Sequence, residues 1–290
     1  MGRITITREG VFPGRKLRGK ERYKKLYHYT SFDTFVKIWL TQRLKYSPVS
    51  RVNDIQESQV NSSVPTLNQM PIIWAYNDIR SSYKQISLTM DFDTYMKGCM
   101  SPMMWGHYAD KRNGVCIELD YDKLNIPESA FSSPVKYRTI LNKSTLLDKD
   151  IYTISQIRKY IKKNRNNIFF TKQKCWSGEN EYRIISYTDE YLDIAGAITA
   201  VYLTSCDSDE CIFVEKLVGD SIPDRYLHYI AAVGNKALPV ISDTRYDRAF
   251  KEKAQNNPAN ELNRLSEKAI KIYEQHKDDD NFVLGLHSLN

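Results

Sequence analysis

The chain has few cysteines, and their spacing gives them no obvious partners. Five cysteines are scattered through 290 residues, none in a CxxC pair, and Cys206 and Cys211 have no histidine beside them. An odd, dispersed set argues against a disulfide framework and against a zinc site. We therefore expect no metal centre.

Long apolar runs are also missing. No segment approaches the roughly 20 consecutive apolar residues that a membrane-spanning helix needs. The first residues are charged where a secretory leader would be apolar. These features predict a cytoplasmic protein without a membrane partner, and the 41% of apolar residues is enough for a sizeable core.

Positive charge, by contrast, is concentrated in two places. The segment Arg15–Lys25 holds seven basic residues against one acid, Glu21, and the segment Arg158–Lys174 holds seven more and no acid. Such clusters suit an anionic partner, either nucleic acid or a phosphate-bearing cofactor. The alternative is a solvated basic surface that only keeps the protein soluble.

The first clear elements lie in residues 26–46, "LYHYTSFDTFVKIWLTQRLKY". The segment predicts a short strand containing His28, then a helix of about three turns capped by Thr30 or Ser31. The apolar residues at helical spacing are Phe32, Phe35, Val36 and Trp39.

Further along, strand-like and helical segments alternate without a repeat. "QISLTM", "GVCIELDY", "EYRIISYT" and "AITAVYLT" read as strands, "MMWGHYAD" as a helical turn, and residues 150–166 and 260–276 as helices. The polar stretch 55–82 contains an apolar island at 72–76 that the pattern leaves unassigned. We expect a basic arm at 1–25, a single α+β core at 26–250 and a helical extension at 251–290. The expected core is a split, mostly antiparallel sheet with flanking helices.

Charged residues recur on the segment after Gly178. On a strand, side chains two apart share a face, so Glu179, Glu181 and Arg183 are expected to project together. One interpretation is an ion-paired strand in which Arg183 neutralises Glu181. The other is a carboxylate held by the arginine and directed at a ligand hydroxyl.

Two histidines have similar alternatives. His28 at a strand end is either a hydrogen-bonded structural residue or a ligand-binding one. His107 lies between aromatic residues in "MMWGHYAD" and is expected to join an aromatic cluster.

An ordered set of motifs resembles a bacterial family catalogued as domain of unknown function 2971. The motifs are "LYHYTS", "LKYSPVSRVND", "MMWGHYADKRNGVCIELD", "VKYR" and "KCWSGENEYRII". They span roughly residues 26–190, and their combination is specific although each piece is not. The family implies no activity.

A second resemblance is to the ADP-ribosyltransferase superfamily of the His-Tyr-Glu type. It rests on an apolar strand ending in His and Thr, a helix, a strand with Tyr, and a late glutamate. In that superfamily the histidine binds a ribose hydroxyl of NAD, the tyrosine stacks on nicotinamide, and the glutamate engages the nicotinamide ribose. The resemblance implies these roles for His28, Tyr46 and Glu181, and in some members the first acid of an ExE pair, here Glu179, orients the acceptor.

Three more residues complete the NAD-binding set that the resemblance implies. Tyr29 competes with Tyr46 for the stacking role, Thr30 follows the histidine, and Arg183 accompanies the glutamate. The predicted function is an NAD-dependent ADP-ribosyltransferase acting on nucleic acid or protein. The alternatives are a non-catalytic nucleotide or nucleic-acid binding module, and a hydrolase or nuclease using His28, His107 and Glu181.

Overall fold

The computed structural model describes residues 6–7, 10–11, 16–51, 70–94, 96–139, 153–204, 209–218, 224–232 and 236–243. The chain divides into two compact units, Met1–Val240 and Ile241–Asn290. The helix expected at 260–276, and with it the extension 251–290, lies outside the described residues.

Fifteen strands are found among the described residues. In chain order they are β1 Ile6–Thr7, β2 Gly10–Val11, β3 Lys25–Thr30, β4 Arg43–Lys45, β5 Ser47–Pro48, β6 Lys84–Met90, β7 Val115–Asp120, β8 Phe131–Pro134, β9 Lys136–Arg138, β10 Thr171–Gln173, β11 Glu181–Ser186, β12 Tyr191–Asp193, β13 Ile198–Leu203, β14 Asp224–Ala232 and β15 Lys236–Asp243.

The same residues form five α-helices and several short 3-10 helices. The α-helices are α1 Phe32–Thr41, α2 Met70–Ser81, α3 Pro102–Tyr108, α4 Ile154–Phe169 and α5 Asp209–Val218. The 3-10 helices are Gly19–Tyr23, Val49–Arg51, Gly98–Met100, Asp110–Arg112, Tyr121–Lys123 and Lys174–Glu179. None of the helices in the described residues has the length and apolar character that crossing a bilayer requires.

The main sheet has the order β15-β14-β13-β7-β3-β6-β11-β8, with β5 joined to β6. The pairs from β13 through β8 are antiparallel, whereas β13 and β14 run parallel. This confirms the expected mixture of helices and strands around a mostly antiparallel sheet.

Strand β6 changes partner along its length on one side. Ser47 of β5 pairs with Gln85 near its start, and Tyr27 of β3 pairs with Thr89 near its end. Between them, residues 86–88 have no strand partner on that side among the described residues. The sheet is therefore open between β3 and β6, and this gap positions the candidate site.

Alternation along the strands gives the sheet two faces, each with its own core. One face packs under α1 and α5 in a cluster that includes Leu26, Phe35, Leu88, Ile117, Ile184 and Val214. The other face packs under α2 and α4 in a second cluster that includes Tyr76, Ile79, Tyr83, Ile157, Ile161 and Ile185. The layers are thus helix, sheet and helix.

Two parts of the expected organisation need correction or completion. The unassigned apolar island at 72–76 belongs to α2, where Ile73, Tyr76 and Ile79 are buried. The described part of the basic arm packs on the core, since Leu17 is buried and the Tyr23 ring contacts Tyr182.

Gly114 follows the turn that leads into β7 and lies against the end of β3. A Cβ atom built there would lie 2.2 Å from the backbone oxygen of Thr30. We expect Gly114→Ala to lower the free energy of unfolding by roughly 1–3 kcal/mol or more, because backbone must move to relieve the overlap. Chemical denaturation measures this change.

Gly106, inside α3, is the matched control because a Cβ atom there would meet nothing within 4 Å. Gly106→Ala should be neutral or stabilising by up to about 1 kcal/mol, since alanine favours the helix. Equal unfolding energies for the two variants would show that the approach of β3 to Gly114 is not a packing constraint.

Candidate functional site: a polar cavity beside the sheet gap

A cavity of about 240 Å³, partly open to solvent, lies beside the gap between β3 and β6. Its walls come from β3, β6 and β11, from the segment 45–48, and from side chains of α3 and β10. Charged and hydroxyl-bearing residues make up much of the lining, namely Lys45, Ser47, Ser87, Thr89, Tyr108, Lys172, Glu179, Glu181 and Arg183. Such a lining suits a polar ligand.

Glu181 and Arg183 form a buried, two-point ion pair at the start of β11. Arg183 donates from Nε to Glu181 Oε1 at 2.7 Å and from Nη2 to Oε2 at 2.8 Å. Burial alone would raise the pKa of the Glu181 carboxyl, but Arg183, Lys172 and Ser87 together lower it below its ordinary value. The ion-paired interpretation of these two residues is therefore what the structure shows, and Glu181 is ionised.

Glu179 forms a second buried pair on the same wall. Lys172 donates to Glu179 Oε2 at 2.6 Å, and the Tyr108 hydroxyl donates to Oε1 at 2.6 Å. The Lys172 ammonium also lies 3.8 Å from Glu181 Oε2 and 4.7 Å from the centre of the Trp176 ring. The two carboxylates thus share one cation and belong to a single network.

The turn at Asn180 brings the two glutamates to one cavity. Sequence reasoning placed Glu179 and Glu181 on one strand face, but Glu179 ends a 3-10 helix and β11 begins only at Glu181. Asn180 between them has a left-handed backbone with φ of 46°. Its side-chain amide donates to the carbonyls of Met90 and Asp91 at 3.0 Å, which fixes the turn to the end of β6.

Arg22 adds a further hold on this turn. Its guanidinium donates to Asn180 Oδ1 at 3.1 Å. Part of the N-terminal basic cluster thus supports the site from within the fold.

Two buried polar atoms of the cavity lining, His28 Nδ1 and Thr89 Oγ1, have no hydrogen-bond partner among the residues that the structure describes. Strand alternation puts the His28 side chain on the opposite sheet face from Tyr27, whereas Thr89 and Glu181 share the face of Tyr27. His28 still lines the cavity, because the cavity lies beside the gap and side chains from both faces of the sheet contribute to its wall.

The other residues implied for NAD binding have different positions. Tyr46 does not line the cavity; its ring is 1% exposed within the core, although its neighbours Lys45 and Ser47 do line it. Thr30 is buried outside the cavity lining. Tyr29 lines the cavity, with its hydroxyl donating to the Gly98 carbonyl at 2.5 Å.

Sequence reasoning missed two members of the site, Tyr108 and Lys172. In "MMWGHYAD" the sequence singled out His107, which is exposed and outside the cavity. The adjacent Tyr108 instead donates a hydrogen bond to Glu179. Lys172 was counted in the basic cluster 158–174, expected either to meet an anionic partner or to be a solvated surface, but it is buried at 4% exposure. No local pattern marks Lys172, because its partners Glu179 and Glu181 lie seven and nine residues further along the chain.

The sequence comparisons give one match and two negative results. Residues 104–184 match the family described as Protein of unknown function (DUF2971). The match covers less than a third of the chain but encloses Tyr108, Lys172, Glu179, Glu181 and Arg183, and it supports the family resemblance over the later motifs. No curated protein and no solved structure matches the chain.

Within the described part of the chain, no group of three or more His, Cys, Asp or Glu side chains is arranged to hold a metal ion. His28 and His107 do not meet, since only the first lines the cavity. Of the three residues named for a hydrolase or nuclease, His28 and Glu181 line the cavity and His107 does not.

The environment of His28, a partly exposed residue whose ring atom Nδ1 is buried, predicts a pH-dependent stability. Burial lowers the pKa of His28 from 6.5 to about 4, against a smaller opposing effect of a backbone hydrogen bond with Ser87. The native state therefore favours the neutral ring. The stability that the neutral His28 ring contributes is complete above about pH 6.5 and is lost as the pH falls towards about 4, roughly 3 kcal/mol in all.

Replacing His28 by Gln removes this titration. We expect the stability difference between wild type and His28→Gln to shift by about 2 kcal/mol in favour of the variant between about pH 7 and about pH 4.5. Urea denaturation at both pH values measures it. The exposed His107→Gln is the control and should follow wild type; parallel curves for His28→Gln as well would contradict the burial of a neutral ring.

Proposed function

We propose that the chain is an NAD-dependent ADP-ribosyltransferase whose active site is the cavity between β3 and β6. The observation that supports this most is the presence of two buried carboxylates, Glu179 and Glu181, on the wall of one cavity. His28 and Thr89 each carry a buried polar atom that has no partner in the described part of the chain. This is further support, because buried polar atoms are normally satisfied and a ligand would satisfy them.

The size of the cavity limits which part of NAD enters it. Pockets that enclose a drug-sized ligand usually measure about 300–1,000 Å³, whereas this one measures about 240 Å³. The nicotinamide and its ribose are the part that this volume suits, and the remaining nucleotide would extend outside. Exposed Lys45 at the lining is suited to the pyrophosphate charge.

Glu181 is assigned the electrostatic role. When the bond between nicotinamide and ribose breaks, its electron pair leaves with nicotinamide and the ribose carbon becomes oxocarbenium-like. A fixed carboxylate stabilises that positive charge. Arg183 keeps Glu181 ionised and holds both of its oxygens, so the group is already oriented before the reaction.

Glu179 and Tyr108 are assigned to the acceptor. The acceptor nucleophile forms a bond to the ribose carbon and gives up a proton, which Glu179 is placed to take, directly or through the Tyr108 hydroxyl. Lys172 holds the other carboxylate oxygen of Glu179 by a hydrogen bond of 2.6 Å, which fixes the orientation of the group. With water as acceptor, the same steps hydrolyse NAD.

We reassign the stacking role from Tyr46 to another tyrosine. Because Tyr46 is buried in the core, the aromatic side chains available at the cavity are Tyr27, Tyr29 and Tyr108. Tyr108 is the partly exposed one of the three. We therefore propose Tyr108 as the ring beside nicotinamide, where offset packing contributes on the order of 1 kcal/mol.

The decisive variant is Glu181→Gln, which keeps the shape and removes the charge. We expect nicotinamide release from NAD to fall at least about a hundredfold, which corresponds to about 3 kcal/mol of lost transition-state stabilisation. Because Arg183 would lose its partner, a melting curve accompanies the assay, and Glu181→Gln/Arg183→Met is tested as the pair without charge.

Glu118→Gln is the matched control. Glu118 is likewise a poorly exposed carboxylate on the main sheet, it accepts from the Tyr202 hydroxyl at 2.7 Å, and it is outside the cavity lining. This variant should turn over normally. Normal turnover by folded Glu181→Gln would refute the role of Glu181, and a loss confined to Glu179→Gln would transfer that role to Glu179.

A further inference from the structure

Helix α4 presents an exposed surface of positive charge. Five of its 16 residues are basic, and none is acidic. All five side chains are exposed, while Ile157, Tyr160, Ile161 and Phe169 bury the opposite side of the helix against the core. The five basic residues, called the α4 surface below, are Arg158, Lys159, Lys162, Lys163 and Arg165.

No acid within the described ranges pairs with the charges of the α4 surface. None of the five side chains forms an ion pair with a carboxylate in the described part of the chain. Five like charges on one helix repel one another, which opposes helix formation. An anionic partner would relieve that repulsion.

More positive charge continues from the C-terminal end of the helix. Lys136 and Arg138 of β9 are exposed, and the backbone amide of Lys136 donates to the carbonyl of Phe170, directly after α4. Lys172, which the sequence had placed in this cluster, is buried in the cavity network instead. The surface is therefore a helix with a short strand beside its end.

Aromatic rings accompany two of the arginines. The Arg158 guanidinium lies 5.8 Å from the centre of the Tyr187 ring, and that of Arg165 lies 5.1 Å from the Phe131 ring. Tyr187 is 40% exposed. Proteins that bind single-stranded nucleic acid combine two features. Cations contact the phosphate backbone, and aromatic and guanidinium planes stack on the bases.

We infer that the α4 surface binds single-stranded nucleic acid. The bases of a single strand are free to stack on Tyr187 and the arginine planes, whereas those of a duplex are not. The binding itself is independent of the active site. The further step, that the bound strand is the acceptor of ADP-ribose, rests on the proposed function.

Fluorescence anisotropy with a labelled, mixed-sequence single-stranded oligonucleotide tests the binding over a range of salt concentrations. If all five cations contact phosphates, the logarithm of the affinity should fall with the logarithm of salt with a slope of about −3.5, about 0.7 for each contact. Lys159→Gln/Lys162→Gln/Lys163→Gln should weaken binding at low salt and reduce the slope by about 2.

The control has the same loss of charge elsewhere. Lys37, Lys123 and Lys216 are exposed and form no ion pair among the described residues, so their triple change to Gln should leave both affinity and slope close to wild type. Equal effects of the two triple variants would overturn the inference, as would absence of binding at low salt. Tighter binding of duplex, or binding of anionic vesicles alone, would also overturn it.

Nicotinamide release is measured on the same proteins without nucleic acid. The transferase activity and the nucleic-acid binding of the α4 surface are thus tested independently. The α4 triple variant should hydrolyse NAD as wild type does. NAD cleavage without oligonucleotide binding would refute the α4 surface alone. Oligonucleotide binding without NAD cleavage would refute the transferase alone.

Discussion

The burial of Glu181 depends on Arg183, and much of the site depends on that pair. An unpaired carboxylate in such a place would cost several kcal/mol or would become protonated. Arg183 prevents both by donating to both carboxylate oxygens, and it donates a third hydrogen bond to the carbonyl of Phe169 at the end of α4. One side chain thus keeps the carboxylate ionised and ties β11 to the helix.

The rest of the network extends this constraint to other elements. Lys172 of β10 holds Glu179 and approaches Glu181, and Tyr108 of α3 donates to Glu179. The Glu181 amide donates to the Tyr137 hydroxyl of β9 at 2.8 Å. Buried ionic networks of this kind add little net stability compared with apolar packing, so their presence beside a cavity favours a functional explanation.

The sequence predicted the sheet better than it predicted the site. Strands such as β6, β7 and β13 have clear patterns because alternation and β-branched residues determine them locally. Helix α2 was missed because its Ser-, Asn- and Gln-rich flank hides the periodicity of Ile73, Tyr76 and Ile79. Charge density wrongly assigned Lys172 to the surface, since burial of a lysine depends on partners seven and nine residues away.

The site residues show the same limit of local reasoning. Glu181 and Arg183 could be paired from their spacing, because residues two apart share a strand face. Glu179 joins them by the left-handed turn at Asn180, which an alternating pattern does not reveal. Tyr46 was chosen by order in the chain, yet the segment 45–48 directs its neighbours to the cavity and its own ring to the core.

The central claim is that NAD occupies the cavity beside the gap between β3 and β6. Hydrogen–deuterium exchange with and without saturating NAD tests this most directly, because bound ligand slows the local opening that permits exchange. The account predicts slower exchange in residues 27–29, 85–89 and 179–183, and unchanged exchange in α1. Unchanged exchange in all three cavity segments, or slower exchange confined to other parts of the chain, would contradict it.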